Sequence, residues 1–225
     1  MKKDIPAYSG TLRSHALSVP ECIYECSGIL IFGRRIKSLV FSTDVAIIKN
    51  INTDAVIAVY PFTPQPAIAQ AIINVSDVPV FVGVGGGLTS GERSVRLAAY
   101  AEHQGAFGVV VNAPIPTEVI TGIKQHVDIP VVATIVSSAQ DIDARIAAGA
   151  DILNVSAAAD TPAVVKEIRE RHPDIPIIAT GGPTEETIRA TIAAGANAIT
   201  YTPPTNGELF AISMNNYREK YLKQQ

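Results

Sequence analysis

Two glycine-rich segments have the composition of anion-binding loops. Residues 83–93 include three consecutive glycines, and residues 179–186 include a Thr-Gly-Gly triplet. Glycine pairs allow a ligand to approach the backbone closely, and a helix N-terminus that follows them favours negative charge. The first segment lacks the third glycine of a dinucleotide-binding motif and the lysine of a P-loop. The sequence predicts phosphate or anion binding, with plain turn glycines as the alternative, by Gly85, Gly86, Thr180, Gly181 and Gly182.

Three charged residues are candidates for acid–base or anion chemistry near these loops. Asp44 follows the first predicted strand and is the first choice for a general acid or base, although it could equally cap the next helix. Glu92 is the second catalytic candidate, and it also has capping-box spacing from Thr89. Arg93 is the cation expected to pair with a phosphate or carboxylate of the substrate.

Several other chemistries have no residues to support them. No lysine ends a predicted strand, which argues against a Schiff base. No group of His, Cys or carboxylate residues has metal-ligand spacing, so no metal is expected. Cys22 and Cys26 could share a ligand but are better explained as buried thiols. We expect no cofactor, with FMN as the alternative.

Short runs rich in Val and Ile alternate with amphipathic segments along the chain. Such alternation is typical of parallel strands joined by helices. The predicted strands are Ser38–Ser42, Ala55–Tyr60, Val80–Val84, Gly108–Asn112, Val131–Val136, Ile152–Ser156, Ile177–Thr180 and Ala198–Thr202. The predicted helices are Asp44–Asn50, Pro66–Val75, Glu92–Gly105, Pro116–Val127, Ala139–Ala148, Pro162–His172, Thr184–Ala194 and Glu208–Lys223.

Eight strand–helix units in 225 residues predict one α/β domain, a closed (β/α)₈ TIM barrel. An open doubly wound sheet is the alternative. Residues 1–28 form a short N-terminal extension that we expect to close the bottom of the barrel, with a short helix at Pro20–Cys26.

The active face of such a barrel lies at the carboxyl ends of its strands. Side chains alternate between the interior and the helices, and we assign Phe41, Val59, Val111, Ala133, Val155 and Ala179 to the helix side. This assignment turns a set of polar side chains inward to orient a substrate: Ser42, Tyr60, Asn112, Thr134, Asn154, Thr180 and Thr202. Either a ligand pocket or a water-filled mouth would explain that layer.

Composition excludes several classes of protein. The chain is 47% hydrophobic with a net charge of −3, which excludes a disordered protein. Its apolar runs are too short to span a membrane. A pI near 5.8 makes nucleic-acid binding unlikely as a function. Two cysteines and no secretory signal predict a cytoplasmic location.

The segment Thr180-Gly181-Gly182, followed by Ala194-Gly195-Ala196 before the last strand, resembles the phosphate-binding (β/α)₈ superfamily. That group includes thiamine-phosphate synthases, thiazole synthases, sugar-phosphate epimerases and flavin-linked barrels. The resemblance covers mainly residues 175–207. It implies a phosphorylated ligand held by Gly181, Gly182 and the region of Thr202. The chain departs from the aldolases by lacking a strand lysine and from many flavin barrels by having Tyr201-Thr202-Pro203 after the last strand.

We therefore expect an enzyme that binds a small phosphorylated metabolite, with lyase, isomerase or synthase chemistry that uses neither metal nor Schiff base. The alternatives are a regulatory barrel that senses a metabolite without catalysis, or an FMN-binding barrel. We also expect a homo-oligomer without membrane association.

Overall fold

The computed structural model describes Pro6, Tyr8, Gly10, Thr11 and residues 17–223. Eight parallel strands close into a barrel, and an antiparallel hairpin of two short strands precedes them. The hairpin strands are β1 (Ile29–Ile31) and β2 (Arg34–Ile36). The barrel strands are β3 (Ser38–Phe41), β4 (Ala55–Ala58), β5 (Val80–Gly85), β6 (Gly108–Val111), β7 (Val131–Ile135), β8 (Ile152–Val155), β9 (Ile177–Thr180) and β10 (Ala198–Tyr201).

A helix follows each barrel strand. The helices are α1 (Val45–Lys49), α2 (Pro66–Val75), α3 (Glu92–His103), α4 (Thr117–Lys124), α5 (Ile142–Ala147), α6 (Thr161–Arg171), α7 (Glu185–Ala193) and α8 (Asn206–Leu222). The predicted α/β TIM barrel is therefore confirmed, and the strand order is that of a closed barrel, not of an open doubly wound sheet. None of the described helices is long and apolar enough to cross a membrane.

The predicted strands begin at the observed residues, whereas several helix ends differ. The helix predicted at Ala139–Ala148 begins only at Ile142, because Asp141 caps it by accepting a hydrogen bond from the Ala144 amide at 2.9 Å. Its first predicted turn is instead a loop in which the Gln140 side chain accepts from the Val136 amide at 2.6 Å. Side-chain hydrogen bonds of this kind compete with helix formation and move helix ends.

The bottom of the barrel contains the hairpin, which the sequence did not predict. Ile29, Ile31 and Ile36 join the hydrophobic cluster inside the barrel, with Leu39 and Phe81 above them. The helix expected at Pro20–Cys26 is a 3₁₀ helix over Glu21–Glu25, and its Glu25 forms an ion pair with Arg189 of α7. Residues 1–5, 7, 9 and 12–16 of the predicted extension lie outside the described residues.

Two hydrophobic clusters make up the core. One fills the barrel interior, and the larger one lies between the strands and the surrounding helices. Both faces of each strand are buried in apolar surroundings, which explains why the strands appear in the sequence as continuous hydrophobic runs. The site must therefore be built from the few polar residues at the carboxyl ends of the strands, which we call the mouth of the barrel.

Candidate functional site

Polar side chains from five consecutive strands meet at the mouth. Thr134 and Asn154 are register partners on β7 and β8, and the Asn154 amide donates to Thr134 Oγ1 at 3.3 Å. Thr180 and Thr200 are register partners on β9 and β10. Asn112 follows β6 and continues the same interior row, since Val110 lies in the interior cluster. We call these five residues the polar arc.

Thr200 has a buried hydroxyl that no described residue satisfies. Its side chain is 7% exposed, and Oγ1 has no hydrogen-bond partner. An unsatisfied buried hydroxyl costs about 1–3 kcal/mol, so its position at the mouth indicates a ligand or water. Thr200 was not among the residues predicted for the site, although it has the same strand parity as Thr202, which was predicted to face the interior. Thr202 itself is exposed just beyond β10.

The orientation predicted for the first two barrel strands was wrong. Val59 packs against the interior cluster, and Phe41 is the register partner of Ile57 in that cluster, so neither faces the helices. Consequently Ser42 and Tyr60 do not point into the barrel. Ser42 Oγ accepts from the Asp44 amide at 3.1 Å, and the Tyr60 hydroxyl accepts from the Gln65 amide at 2.7 Å beside α2. The alternation of side chains along these two strands did not reveal which side faces the interior, because large apolar side chains occupy both faces.

A cavity of about 240 Å³ opens at the mouth between the loops that follow β4 and β5. We call it the apolar pocket. Its walls include Val59, the edge of Tyr60, and two side chains that are otherwise exposed, Phe62 at 70% and Leu88 at 85%. Thr89 and Asn112 supply its polar atoms. In the closed strand order, β5 lies four strands from β9, so the pocket is opposite the Thr180–Gly182 segment.

The loop after β5 is closed by its own hydrogen bonds. The Gly86 amide donates to Thr89 O at 2.8 Å, and the Asn112 amide donates to Gly85 O at 2.9 Å. Gly86 has φ +97°, and a Cβ there would lie 2.5 Å from the Asn112 nitrogen. The predicted anion contact by the Gly86 amide is therefore replaced by a contact within the loop. The 3% exposed Thr89 keeps Oγ1 unpartnered beside the pocket, so the predicted capping box does not form.

The Thr-Gly-Gly segment after β9 is only partly available to a ligand. The Gly181 amide donates to Thr200 O at 3.3 Å, and a Cβ on Gly181 would lie 2.8 Å from Ile188. Helix packing therefore accounts for this glycine. Gly182, with φ +80°, is exposed, and its amide has no hydrogen-bond partner among the described residues. Thr180, two residues earlier, lies in the interior row of β9, and its hydroxyl has no hydrogen-bond partner among the described residues.

The predicted charged residues do not meet at the mouth. Asp44 caps α1, its Oδ1 accepting from the Ala46 and Ile47 amides at 2.8 and 3.3 Å. Glu92 forms an exposed ion pair with Arg96 on α3. Arg93 lines a shallow groove on the outer surface between α2 and α3. Glu92 lines the same groove, because both residues belong to the first turn of α3.

A buried arginine that was not predicted as a site residue contacts a loop at the mouth. Arg145 on α5 is 8% exposed, and its Nη2 donates to Ala113 O in the loop after β6. Its Nη1 is buried without a partner, and no described carboxylate forms an ion pair with it. Burial lowers the pKa of Arg145. The residue sits within an ordinary helical pattern, so nothing in the sequence distinguished it from a solvated arginine.

No group of three or more His, Cys, Asp or Glu within the described residues could hold a metal ion. The mouth itself supplies hydroxyls, carboxamides and one capping carboxylate, that of Asp44. The two cysteines are free and buried: Cys22 belongs to the 3₁₀ helix that precedes the barrel, and Cys26 is the residue that ends this helix.

No protein-family profile and no curated protein sequence matches this chain. Among solved structures, it is similar to 2,3-dimethylmalate lyase, a member of the PEP mutase/isocitrate lyase superfamily, with 14% identity and a TM-score of 0.62 over 91% of this chain and 82% of that one. It is also similar to a phosphoenolpyruvate phosphomutase from Streptomyces platensis subsp. rosaceus, with 17% identity and a TM-score of 0.60 over 90% and 85% of the two chains.

A third similar structure is a phosphonopyruvate hydrolase bound to oxalate and Mg²⁺, with 13% identity and a TM-score of 0.59, covering 86% of this chain and 83% of that one. These identities establish the barrel fold alone. The three neighbours are not the enzyme families named from the Thr-Gly-Gly motif.

Proposed function

We propose that this barrel is a cytoplasmic enzyme that binds a small phosphorylated metabolite at its mouth and performs lyase, mutase or isomerase chemistry. The observation that carries the proposal is the polar arc with its unpartnered, buried Thr200 hydroxyl. Main-chain and hydroxyl donors of this kind stabilise an anion, because hydrogen bonds to a charged acceptor are stronger than those between neutral groups. The similar solved structures, which are lyases and mutases by name, support the reaction class.

The anion in this proposal lies against the end of β9. The free Gly182 amide and the Thr180 hydroxyl would donate to it, with Thr200 below and Thr202 at the rim. The N-terminus of α7 follows directly, and its partial positive charge favours an anion. Glu185 and Glu186 are exposed in its first turn and oppose this attraction in part.

Asp44 is the proposed general acid or base. Its Oδ1 caps α1, while Oδ2 receives no hydrogen bond from a described residue and is free to meet a substrate proton. Asn112, Asn154 and Thr134 would orient the substrate carbonyl or hydroxyl groups. The proposal assigns the proton transfer to Asp44 and the binding of the substrate to the polar arc, and it includes no Schiff base, since no lysine follows a barrel strand at the mouth within the described residues.

A second candidate is a non-catalytic barrel that senses a phosphorylated metabolite. It is favoured by the small number of titratable groups at the mouth, where Asp44 is the one described carboxylate next to a strand end. FMN would place its phosphate in the same position. Visible flavin absorbance of the purified protein would identify that case, and turnover separates the enzyme from the sensor.

Binding of simple phosphorylated probes tests the proposal. We expect inorganic phosphate, glycerol phosphate or phosphoenolpyruvate to raise the melting temperature, since a ligand at 100 times its Kd adds about 2.7 kcal/mol to stability. Thr180→Val should weaken that binding about tenfold or more, the effect of losing a hydrogen bond to a charged group. Thr121→Val, on the exposed surface of α4, is the matched control and should change nothing. If none of the three probes raised the melting temperature, the proposal would be refuted.

A further inference from the structure

The two halves of the mouth differ in chemistry. Strands β6 to β10 present the polar arc, whereas β3 to β5 present Phe41, Val59 and Gly83 at the equivalent interior positions. Phe62 and Leu88 extend the apolar half beyond the strand ends. A compact anion would use the polar half alone and would leave this apolar surface uncovered.

The apolar pocket has the size for a ring. Its volume of about 240 Å³ exceeds the about 150 Å³ of an apolar cavity that holds a benzene molecule. Phe62 and Leu88 lie on the neighbouring loops after β4 and β5, and both line the pocket, so a planar group bound there would contact an aromatic ring and an aliphatic side chain. Planar groups favour stacking on an aromatic ring over a solvated position.

A polar atom at the base of the pocket points to a ligand independently of the apolar walls. Thr89 is 3% exposed, lines the pocket and leaves Oγ1 without a partner. The loop that carries it is fixed, because Gly86 donates to its carbonyl and Asn112 holds Gly85. The pocket therefore has one unsatisfied hydroxyl in its wall, which a heteroatom or substituent on a bound ring could pair with.

We infer that the substrate is an amphiphilic molecule, in which an unsaturated ring occupies the apolar pocket and an attached phosphate or carboxylate faces the polar arc. This inference rests on the proposed function, since it specifies the substrate class of the same site. A substrate of this kind would distinguish this protein from a barrel whose ligand is only a small dianion.

Three probes test the inference: inorganic phosphate, phenyl phosphate and phenylpropyl phosphate, which place a ring at two distances from the anion. Calorimetry on the full chain should show at least one aryl phosphate binding about tenfold or more tightly than inorganic phosphate. Phe62→Ala and Leu88→Ala should reduce this advantage to less than about threefold while leaving the affinity for inorganic phosphate unchanged.

Leu30→Ala is the matched control, because Leu30 is 74% exposed but lies on β1 at the bottom of the barrel. Its affinities should equal those of the parent chain. Equal affinity for all three probes would overturn the inference and leave the proposed function standing. Absence of binding by every probe would overturn both.

The last helix, α8, is almost entirely exposed in the described structure. The helix has 17 residues and none is buried. Helices in proteins gain most of their stability from packing an apolar face, so this helix needs a partner. Leu209 alone packs partly against the core. The large exposed apolar residues are Phe210, Ile212, Met214, Tyr217, Tyr221 and Leu222.

Four of these residues form one line along the helix, which we call the α8 stripe: Phe210, Met214, Tyr217 and Tyr221. Their spacing of four, three and four residues is the spacing of a two-helix seam. At about 200 Å² for each large side chain, the four side chains of the α8 stripe expose about 470 Å² per copy. A stable interface buries about 800 Å² per partner, so the stripe would form the apolar centre of such an interface.

The geometry points to a second copy of this chain as the occupant, with the two α8 stripes packed on each other about a twofold axis. Sedimentation of the full chain should show a dimer, and Tyr217→Lys should yield a monomer with an unchanged circular dichroism spectrum of the barrel. Asn216→Lys adds the same charge one residue earlier, on a different face of α8, and should leave the dimer intact.

A monomeric parent chain would overturn this second inference. A variant that lacks residues 1–16 then tests the alternative occupant. If amide hydrogens of α8 exchanged faster in that variant than in the full chain, the stripe would be assigned to the chain's own N-terminal segment. Dimerisation that survives Tyr217→Lys would also overturn it.

Discussion

Replacing Thr200 with valine should make the protein more stable and its ligand binding weaker. The two side chains have nearly the same shape, so the change removes a hydroxyl without opening a cavity. In the described structure this hydroxyl is buried and has no partner, which costs about 1–3 kcal/mol. Removing it should therefore raise the free energy of unfolding by about 1 kcal/mol or more.

Thr53→Val is the matched control. Thr53 is 6% exposed, like Thr200, but its hydroxyl lies 3.1 Å from Ser38 O and 3.0 Å from Ala55 O. Removal of that hydroxyl leaves buried carbonyl oxygens with fewer donors, so Thr53→Val should lower the free energy of unfolding by about 1–2 kcal/mol. The two substitutions are chemically identical and should have opposite signs.

Urea denaturation followed by circular dichroism measures both effects, since the chain has no tryptophan for a fluorescence assay. The same Thr200→Val protein should lose most of its stabilisation by inorganic phosphate. If Thr200→Val destabilised the fold as much as Thr53→Val, the Thr200 hydroxyl would have a partner in the free protein, and the reasoning that assigns it to a ligand would be refuted.

Further substitutions test the loops, the cap and the buried thiol. Gly86→Ala should destabilise the fold by more than about 2 kcal/mol, because its Cβ would meet the Asn112 backbone and its φ is +97°, whereas Gly87→Ala, with no atom within 4 Å, should be neutral in urea denaturation. Asp44→Ala should cost about 1 kcal/mol of stability through loss of the α1 cap, and Asp44→Asn only a few tenths, so equal losses would contradict the capping geometry. Burial raises the pKa of Cys26 to about 12, so iodoacetamide should modify it slowly at neutral pH until urea unfolds the chain. Because that pKa lies above its ordinary value of 9.0, the stabilisation from the neutral thiol is complete below about pH 9 and is lost as the pH rises toward 12; Cys26→Ala should show a smaller decline over that range.

The sequence predicted which mouth residues point into the barrel only on strands that carry a polar residue near the carboxyl end of one face. Asn154 and Thr134 stand at such positions, and the structure places them inside the barrel. Val59 and Tyr60 gave no such signal, since both faces of a barrel strand are apolar and either orientation fits a hydrophobic run. The hairpin at the bottom escaped notice for a related reason: Ile29–Ile36 has too few residues to show alternation.

The sequence by itself determined the (β/α)₈ barrel and the first residue of each strand, because β-branched runs, helix caps and turn glycines act through local backbone preferences. Tertiary structure alone decided which hydroxyls are left without partners and which charges reach the mouth. Thr200 is unpaired, Arg145 is buried against Ala113, and Arg93 faces outward. Each of these facts depends on atoms brought together from distant strands and helices by the closure of the barrel, and no local pattern encodes such distances.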